Sequence, residues 1–299
     1  MNQERPDARL ASLGGTGVQL AVGPFLVRVS SDLASVRDHL SLFYSDFAIG
    51  SEPVGHFDVA LFATGGLRRL IRPQANLAIN GETPFLPLPA SLGGASLEWA
   101  MNWCFGMRAL NWVVIHAAVV ERGGRVIVLS AASGSGKSTL CAALSFAGWR
   151  LFSDEFALID PRSGRLFPAP RPLSLKEGAI EIIRQRHPEV VYGPEGRNIE
   201  RERFVHVRPP AEAVKRACES AKPGLIVIPR YVPGAETTLE PLAKARALVE
   251  IADQSFNYNH LGPGGYDALV NFVSASECYR LEYSNLDDLL PRLQRMTEE

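Results

Sequence analysis

The sequence predicts a mixed α/β fold divided into two domains, and three observations support this interpretation. The chain has 299 residues, more than most single domains contain. Strand-like and helix-like segments are mixed along it, without a repeat period or a low-complexity tract. Residues 125–147 combine an apolar strand, a loop of small residues and a helix, in that order. We therefore expect a smaller α+β domain at residues 1–90 and a larger α/β domain at residues 91–299.

The bulk composition excludes several classes of protein. Hydrophobic residues make up 46% of the chain, charged residues 21%, and the formal net charge is −1, so no overall field attracts nucleic acid or an anionic membrane. No window approaches the roughly 18 apolar residues of a membrane span, and the polar N-terminal stretch does not resemble a signal peptide. The four cysteines show no C-x-x-C spacing, which favours reduced thiols. We expect a cytoplasmic protein that binds neither nucleic acid nor membrane.

The smaller domain is predicted from short segments separated by turn signals. Its predicted strands are Val18–Leu20, Phe25–Val29, Phe57–Phe62, Leu70–Pro73 and Asn76–Ile79. Ser31 is placed to cap a helix at Leu33–Phe43. Asn80-Gly81 predicts a tight turn after the last strand, and the three alternating prolines of Pro84–Pro89 mark the linker to the second domain.

The larger domain is predicted to alternate strands with helices. The predicted strands are Trp112–Val120, Arg125–Ser130, Trp149–Ser153, Phe156–Asp160 and Leu225–Ile228. The predicted helices are Ser96–Phe105, Gly136–Ala147, Gly178–Gln185, Leu242–Ala252, Tyr266–Val273 and Leu286–Met296. Residues 192–204 combine glycine, proline and charges of both signs, which indicates an exposed loop.

The loop Ala131–Thr139 has the composition and context of a phosphate-binding loop. Its glycines allow successive backbone N–H groups to face phosphate oxygens, and the N-terminus of the following helix adds its dipole. We expect Lys137 to reach the β- and γ-phosphates and the Ser138 hydroxyl to bind Mg²⁺. The residues predicted to bind the nucleotide here are Ser133, Gly134, Ser135, Gly136, Lys137, Ser138 and Thr139. Ala131 stands where the motif has its first glycine, which costs little if its φ is negative.

A phosphate loop of this kind works with carboxylates that hold a metal or orient a nucleophile. Asp154-Glu155 follows the strand Trp149–Ser153, and we predict Ser138, Asp154 and Glu155 as metal ligands. The alternative is a solvated acidic turn at a strand end.

His116 lies in the apolar strand that precedes the phosphate-loop strand. Alternation places its imidazole on the face opposite Ile115 and Ala117. A histidine in this setting is either a core residue with satisfied hydrogen bonds or part of the site, and its position one strand before the loop favours the site.

Together, these elements resemble the HPr kinase/phosphorylase family. The residues that carry the resemblance are His116 in IHAAVV, SGSGKST at 133–139, SDE at 153–155 and PRPLSLK at 170–176, within a matching region of about residues 112–235. The last motif is similar to that of HPr-kinase-related proteins of bacterial peptide-modification clusters.

The resemblance implies a phosphoenolpyruvate-carboxykinase-like nucleotide fold in the larger domain. It also implies ATP- and Mg²⁺-dependent phosphoryl transfer to a hydroxyl, usually a serine of a small protein or peptide, by a kinase that forms a homo-oligomer. Asp154 would be the base that takes the hydroxyl proton, or a metal ligand. Glu155 would be its acidic neighbour, and His116 would position or tune the acid.

The sequence leaves two possible roles for each of the other charged residues. Lys176, which we predict to contact the nucleotide, and Arg171 either stabilise phosphate charge or are scaffold charges. The arginines of the polar loop either close over substrate or form a solvated charge network with its glutamates; they are Arg197, Arg201 and Arg203. Asn257–His260 either approaches the substrates or only connects two helices.

Three functions remain open from the sequence. The preferred one is a serine kinase that acts on a small protein or peptide. The second is a kinase of a free small-molecule hydroxyl. The third is a nucleotide-gated binding module without phosphoryl transfer, with which Ala131 and Glu155 are compatible.

Overall fold

The computed structural model describes residues 8–52, 54–66, 71–132, 134–198 and 200–298. It is a mixed α/β protein with several sheets, as the sequence predicts. The chain divides into two compact units, Met1–Phe105 and Gly106–Glu299. Among the described residues, no helix has the length and apolar character needed to cross a bilayer.

The first unit contains one six-stranded sheet. Its strands are β1 (Val18–Val22), β2 (Phe25–Ser31), β3 (Ile49–Gly50), β4 (Phe57–Ala63), β5 (Gln74–Ile79) and β6 (Leu88–Pro89), in the order β3-β1-β2-β4-β5-β6. β2 and β4 are parallel and the other neighbours are antiparallel. The helix α1 (Ala34–Phe43) follows β2, and α2 (Gly93–Arg108) follows β6.

The division between the units falls within α2, beyond the boundary near residue 90 that the sequence predicts. Most of this helix packs in the first unit, which explains the difference. The ring of Phe105 stacks on that of Phe25 at 4.3 Å. The Glu98 carboxylate accepts a hydrogen bond of 2.7 Å from the Tyr44 hydroxyl and lies 2.8 Å from Nε2 of His39.

The second unit is built on a second six-stranded sheet, flanked by two small sheets. Its strands are β7 (Val113–His116), β8 (Ala118–Arg122), β9 (Arg125–Leu129), β10 (Arg150–Ser153), β11 (Phe156–Ile159), β12 (Leu166–Phe167), β13 (Leu173–Lys176), β14 (Gly196–Arg197), β15 (Arg203–Val207), β16 (Lys222–Tyr231), β17 (Thr238–Pro241) and β18 (Glu277–Tyr283). The main sheet has the order β10-β8-β9-β16-β18-β17, and the small sheets are β12-β11-β7 and β13-β15-β14.

Helices cover both faces of the main sheet. They are α3 (Lys137–Phe146), α4 (Gly178–Arg186), α5 (Ala211–Lys215), α6 (Lys244–Asp253), α7 (Gly262–Ala275) and α8 (Leu286–Glu298). Alternate residues of each strand point to opposite faces, so β9 sends Ile127 and Leu129 into an apolar cluster with α3, α4 and α8. Val126 and Val128 enter the opposite cluster, which α6, α7, β7 and β11 complete.

The single strand predicted at Trp112–Val120 is two strands of two different sheets. The break falls at Ala117, whose N–H donates to the Glu155 carbonyl at 3.1 Å, while the N–H of His116 donates to the Gln254 carbonyl at 2.8 Å. Residues 192–204, predicted as an exposed loop, contain β14 and the beginning of β15, with Ile199 outside the described residues.

Candidate functional site

The topology of the main sheet brings five strand ends to one edge. β9 is parallel to β16, and β16 to β18, so the carboxyl ends of these three strands lie together. β8 is antiparallel to β9 and begins at Ala118, opposite Leu129, where β9 ends. β10 is antiparallel to β8 and ends at Ser153, opposite Val119. Ligands of open α/β sheets bind at such an edge, outside the carboxyl ends of the parallel strands.

The loop after β9 is fixed by two tyrosines from the neighbouring parallel strands. The N–H of Tyr231 donates to the Ser135 carbonyl at 3.0 Å, and the Tyr283 hydroxyl donates to the Gly136 carbonyl at 3.2 Å. Gly134 and Gly136 have φ of 83° and 89°, the left-handed region that favours glycine. A Cβ on Gly136 would lie 2.5 Å from the Tyr283 hydroxyl, whereas one on Gly134 would meet no atom of the described residues within 4 Å.

The departure from the loop motif at Ala131 is compatible with the backbone. Positive φ among the described non-glycine residues occurs at Asn80, Glu177 and Arg201, so Ala131 needs no left-handed conformation. Ser133 lies outside the described residues. Gly136 forms the N-cap of α3, and Lys137, Ser138 and Thr139 occupy its first turn.

Two hydroxyls at this loop are buried without a hydrogen-bond partner in the described part of the chain: Ser130 Oγ, directly after β9, and Ser135 Oγ. Buried polar groups in proteins are nearly always hydrogen-bonded, so each such atom requires an explanation. An oxygen-rich ligand seated on the loop would supply the missing acceptors.

Lys137 joins the loop to His116. Its side chain is buried, and Nζ lies 3.1 Å from Nε2 of His116 and 3.4 Å from the Ala131 carbonyl. Burial lowers the pKa of Lys137, and the nearby Glu155 and Asp154 oppose that effect. Lys137 is therefore a buried cation within the electrostatic field of the two carboxylates that the sequence predicts.

The acid pair has one shielded and one partly exposed member. Asp154 is 4% exposed, and its Oδ2 accepts a 2.8 Å hydrogen bond from the N–H of Ser174. Burial and then the charge of Glu155 raise the pKa of Asp154 to about 7, against the effects of that hydrogen bond and of Arg171.

The second member, Glu155, faces His116. Its Oε2 lies 3.5 Å from Nε2 of His116. Burial raises the pKa of Glu155, but contact with His116 and the charges of Arg171 and Lys137 outweigh it, so the pKa is lowered. The two neighbouring carboxylates are thus tuned in opposite directions, which is common at functional sites.

His116 is held by a segment from the far end of the chain. Ile115 forms an isolated bridge with Ser255, and the Asn257 side chain accepts from the Val114 N–H at 3.0 Å and donates to the Trp112 carbonyl at 2.8 Å. Asn257 thus has a structural role along β7. Phe256, between the bridge and Asn257, places its ring 6.1 Å from that of His116.

The other predicted charges differ in their surroundings. Arg171 is buried and acts electrostatically on both carboxylates. The Lys176 side chain is 50% exposed, and its Nζ donates to Glu202 at 3.0 Å, so its contact with a nucleotide stays a prediction. Arg203 pairs with Glu181 and Glu195 on the surface, which favours a solvated charge network for that segment.

Sequence reasoning did not find the tyrosines that anchor the loop. Tyr231 and Tyr283 end strands that follow the loop by about a hundred residues or more, and no local pattern indicates that these strands are neighbours of β9. The sequence predicts the first of these strands only as far as Ile228 and predicts no strand at 277–283, so its local patterns indicate neither tyrosine.

Comparisons with known proteins give little further information. No family model matches the sequence, and no curated protein matches it. A solved structure, that of the Hpr(Ser) kinase/phosphatase from Coxiella burnetii, is similar with 10% identical residues, coverage of 62% of this chain and 97% of that chain, and a TM-score of 0.28. The functional interpretation therefore depends on the geometry of the site.

Proposed function

We propose that the protein is an ATP- and Mg²⁺-dependent kinase that phosphorylates a serine-type hydroxyl on a small protein or peptide. The observation that carries the proposal is the chain of contacts Lys137–His116–Glu155, with separations of 3.1 and 3.5 Å, which joins a phosphate loop to an acid pair. Carboxylates at this place can align an acceptor hydroxyl as well as hold a metal, which favours a kinase over a loop that only binds nucleotide.

The loop supports the binding of a triphosphate. Left-handed glycines, the N-terminus of α3 and the buried Lys137 together provide N–H donors and a positive charge for phosphate oxygens. The buried hydroxyls of Ser130 and Ser135, which have no partner among the described residues, fit the same ligand.

Asp154 has the properties of the group that accepts the proton of the acceptor hydroxyl. A general base works best when its pKa lies near the operating pH, and the pKa of Asp154 is about 7. Its hydrogen bond from Ser174 fixes the orientation of the carboxylate. In phosphoryl transfer such a residue aligns the nucleophile, and the surrounding cations stabilise the charge on the transferred group.

The donor set fits Mg²⁺. The described residues contain no group of three or more His, Cys, Asp or Glu side chains arranged for a metal ion. Mg²⁺ does not require one, because it binds through one or two carboxylates together with substrate phosphates and water. Ser138 and Glu155 would hold it, joined by Asp154 if that residue is a metal ligand rather than the base, and it would neutralise charge on the phosphates.

The acceptor is proposed from the motifs shared with the HPr kinase/phosphorylase family, namely His116, the loop, the acid pair and residues 170–176. The same resemblance leads us to propose a homo-oligomer in the cytoplasm. Residues 1–105, which form a separate compact unit, are the natural region for acceptor recognition.

Transfer of label from γ-³²P-ATP to candidate peptides and metabolites tests the function. The wild-type protein should label a serine-bearing peptide in the presence of Mg²⁺, and Asp154→Asn should bind ATP but transfer at least about 100-fold more slowly. Label on a metabolite alone would identify a small-molecule kinase. ATP binding without any labelled product would indicate a binding module and contradict the proposal.

A further inference from the structure

The edge of the main sheet has two chemically different halves, on opposite sides of the loop. The half formed by β8 and β10 carries His116 and the acid pair, which directly precede β8 or follow β10. The half formed by β16 and β18 ends in two tyrosines, Tyr231 and Tyr283. The order β10-β8-β9-β16-β18 places the loop between these halves.

This order sets the direction of a bound nucleotide. The direction rests on the proposed function, because a γ-phosphoryl group that is transferred must lie beside the acid pair. The base, at the other end of the triphosphate, is then directed toward β16 and β18. Strands lie about 4.8 Å apart, so the ends of β10 and β16 are separated by roughly 14 Å, a span that suits an extended nucleotide.

Tyr231 is the exposed aromatic residue in the tyrosine half. The residue is 45% exposed, although its backbone N–H is hydrogen-bonded to the loop. A Cβ on Gly136 would lie 3.1 Å from Cβ of Tyr231, so the ring starts directly beside the loop. Tyr283, by contrast, is buried and its hydroxyl is engaged with Gly136.

The orientation of the Tyr231 ring is fixed by its neighbour. The rings of Tyr231 and Tyr283 pack edge to face, with centroids 5.8 Å apart and planes at 74°. An exposed ring held in this way offers one flat face to a ligand at a small cost in conformational entropy. We infer that Tyr231 stacks on the base of the nucleotide and that this contact, rather than the loop, distinguishes a nucleotide from bare polyphosphate.

Phe256 is the competing aromatic residue. It is 39% exposed, but its ring lies 6.1 Å from that of His116, on the acid side of the loop. With the γ-phosphate beside Asp154 and Glu155, the base cannot reach Phe256 without reversing the nucleotide. The order of the strands therefore favours Tyr231 over Phe256 as the residue that stacks on the base.

Calorimetric titration with two ligands tests the inference. ATP carries a base and inorganic tripolyphosphate does not, and both are titrated with Mg²⁺ into the full-length wild type, Tyr231→Ala, Tyr231→Phe and Phe256→Ala. Tyr266→Ala, which removes an exposed tyrosine from α7, is the matched control. Replacement of the Tyr231 side chain leaves its backbone N–H in place, so the bond to Ser135 is retained in every variant.

The expected result is a selective loss. Stacking of a base on an aromatic side chain is strong enough that Tyr231→Ala should weaken ATP binding about tenfold or more. Tripolyphosphate affinity should stay within about twofold, and Tyr231→Phe, which keeps the π-face, should bind ATP as the wild type does.

Several results would overturn the inference. Equal losses for ATP and tripolyphosphate in Tyr231→Ala would mean that the residue only supports the loop. Equal affinity of the wild type for the two ligands would show that Tyr231 does not stack on the base. A selective loss of ATP affinity in Phe256→Ala instead of Tyr231→Ala would show the same. A wild type that binds neither ligand would refute both the inference and the proposed function. ATP binding with the selective loss, but no phosphoryl transfer, would refute the kinase alone.

Discussion

Nε2 of His116 stands between a cation and a carboxylate, 3.1 Å from Nζ of Lys137 and 3.5 Å from Oε2 of Glu155. Nε2 either accepts a hydrogen bond from the lysine or, in the other tautomer, donates one to the glutamate, but it cannot do both at once. The two contacts place His116 between the phosphate loop and the acid pair, and we propose that it positions both.

Replacement of His116 should change the pH dependence of the reaction as well as its rate. His116→Ala removes the partner that lowers the pKa of Glu155, so that pKa should rise. We expect transfer to fall by about 10- to 100-fold, as for residues that orient metal ligands. Below the limb that Asp154 sets, the inflection that Glu155 adds to the acid side of the kcat/KM profile should move to higher pH, and His116→Gln should restore part of the rate. A lower rate with an unchanged pH dependence of kcat/KM would show that His116 contributes only packing.

The two loop glycines should respond differently to alanine. Gly136→Ala places a Cβ 2.5 Å from the Tyr283 hydroxyl and also strains a φ of 89°. Gly134→Ala strains only a φ of 83° and contacts no described residue within 4 Å, which costs roughly 1 kcal/mol. We expect Gly136→Ala to lose most ATP affinity in calorimetric titration, and Gly134→Ala to lose less. Gly136→Ala with Tyr283→Phe should regain part of the loss, and the absence of any recovery would argue against the steric explanation.

Asp154 should make the metal-free protein less stable as the pH rises. Its folded-state pKa, about 7, lies above the ordinary value of 3.8. The stability contributed by the neutral carboxyl is therefore fully present below pH 3.8 and is lost as the pH rises through 7. Asp154→Asn removes this loss and can still accept the hydrogen bond from Ser174.

We expect Asp154→Asn to be more stable than the wild type at pH 8, by about 1–4 kcal/mol. Near pH 4 the two proteins should be nearly equal. Urea unfolding in the presence of EDTA at both pH values measures the difference. A variant less stable than the wild type at pH 8 would show that the carboxylate is ionised without cost in the folded protein.

A buried ion pair should dominate the stability of the β8–β10 half of the sheet. Nε of Arg150 donates to Glu121 at 2.6 Å, with both side chains 5% exposed, and the guanidinium also donates to the carbonyls of Arg216 and Glu219. Glu121→Gln leaves the buried Arg150 with only the exposed Glu219 carboxylate, at 3.6 Å, as its counter-charge, which should cost about 3–5 kcal/mol.

The exposed pair Lys176–Glu202 is the matched control. Glu202→Gln should change the free energy of unfolding by less than about 1 kcal/mol, because this pair is 40–50% exposed. Similar losses in both variants, measured by urea unfolding, would contradict the assignment of the larger effect to burial.

The local elements of the site could be predicted from the sequence, since they depend on short patterns. The strand predicted at Arg125–Ser130 is observed at Arg125–Leu129, and the helix predicted at Gly136–Ala147 is observed at Lys137–Phe146. Apolar runs and the glycines between them determine both. The position of Asp154-Glu155 directly after β10 follows from the same kind of pattern.

The partners of these elements could not be predicted, because they come from distant parts of the chain. Ser174 holds Asp154 across 20 residues, and Asn257 holds β7 across more than 140. The break at Ala117 depends on contacts to Glu155 and Gln254, which the apolar run Trp112–Val120 does not show. Lys176 shows that a local motif can also mislead. It belongs to the motif at 170–176, yet its side chain contacts a surface glutamate.

The order of the strands also has a consequence for folding. The segment from β7 to β11 brings His116, the loop and the acid pair together through antiparallel neighbours within a short stretch of chain. The pairing of β9 with β16 must instead close a loop of roughly a hundred residues, and such non-local parallel contacts form slowly. We expect the half of the site formed by β8 and β10 to fold early. The strands that carry Tyr231 and Tyr283 should pair late. A folding intermediate of this kind would already hold its carboxylates beside the loop, yet its affinity for a nucleotide would develop only in the last step.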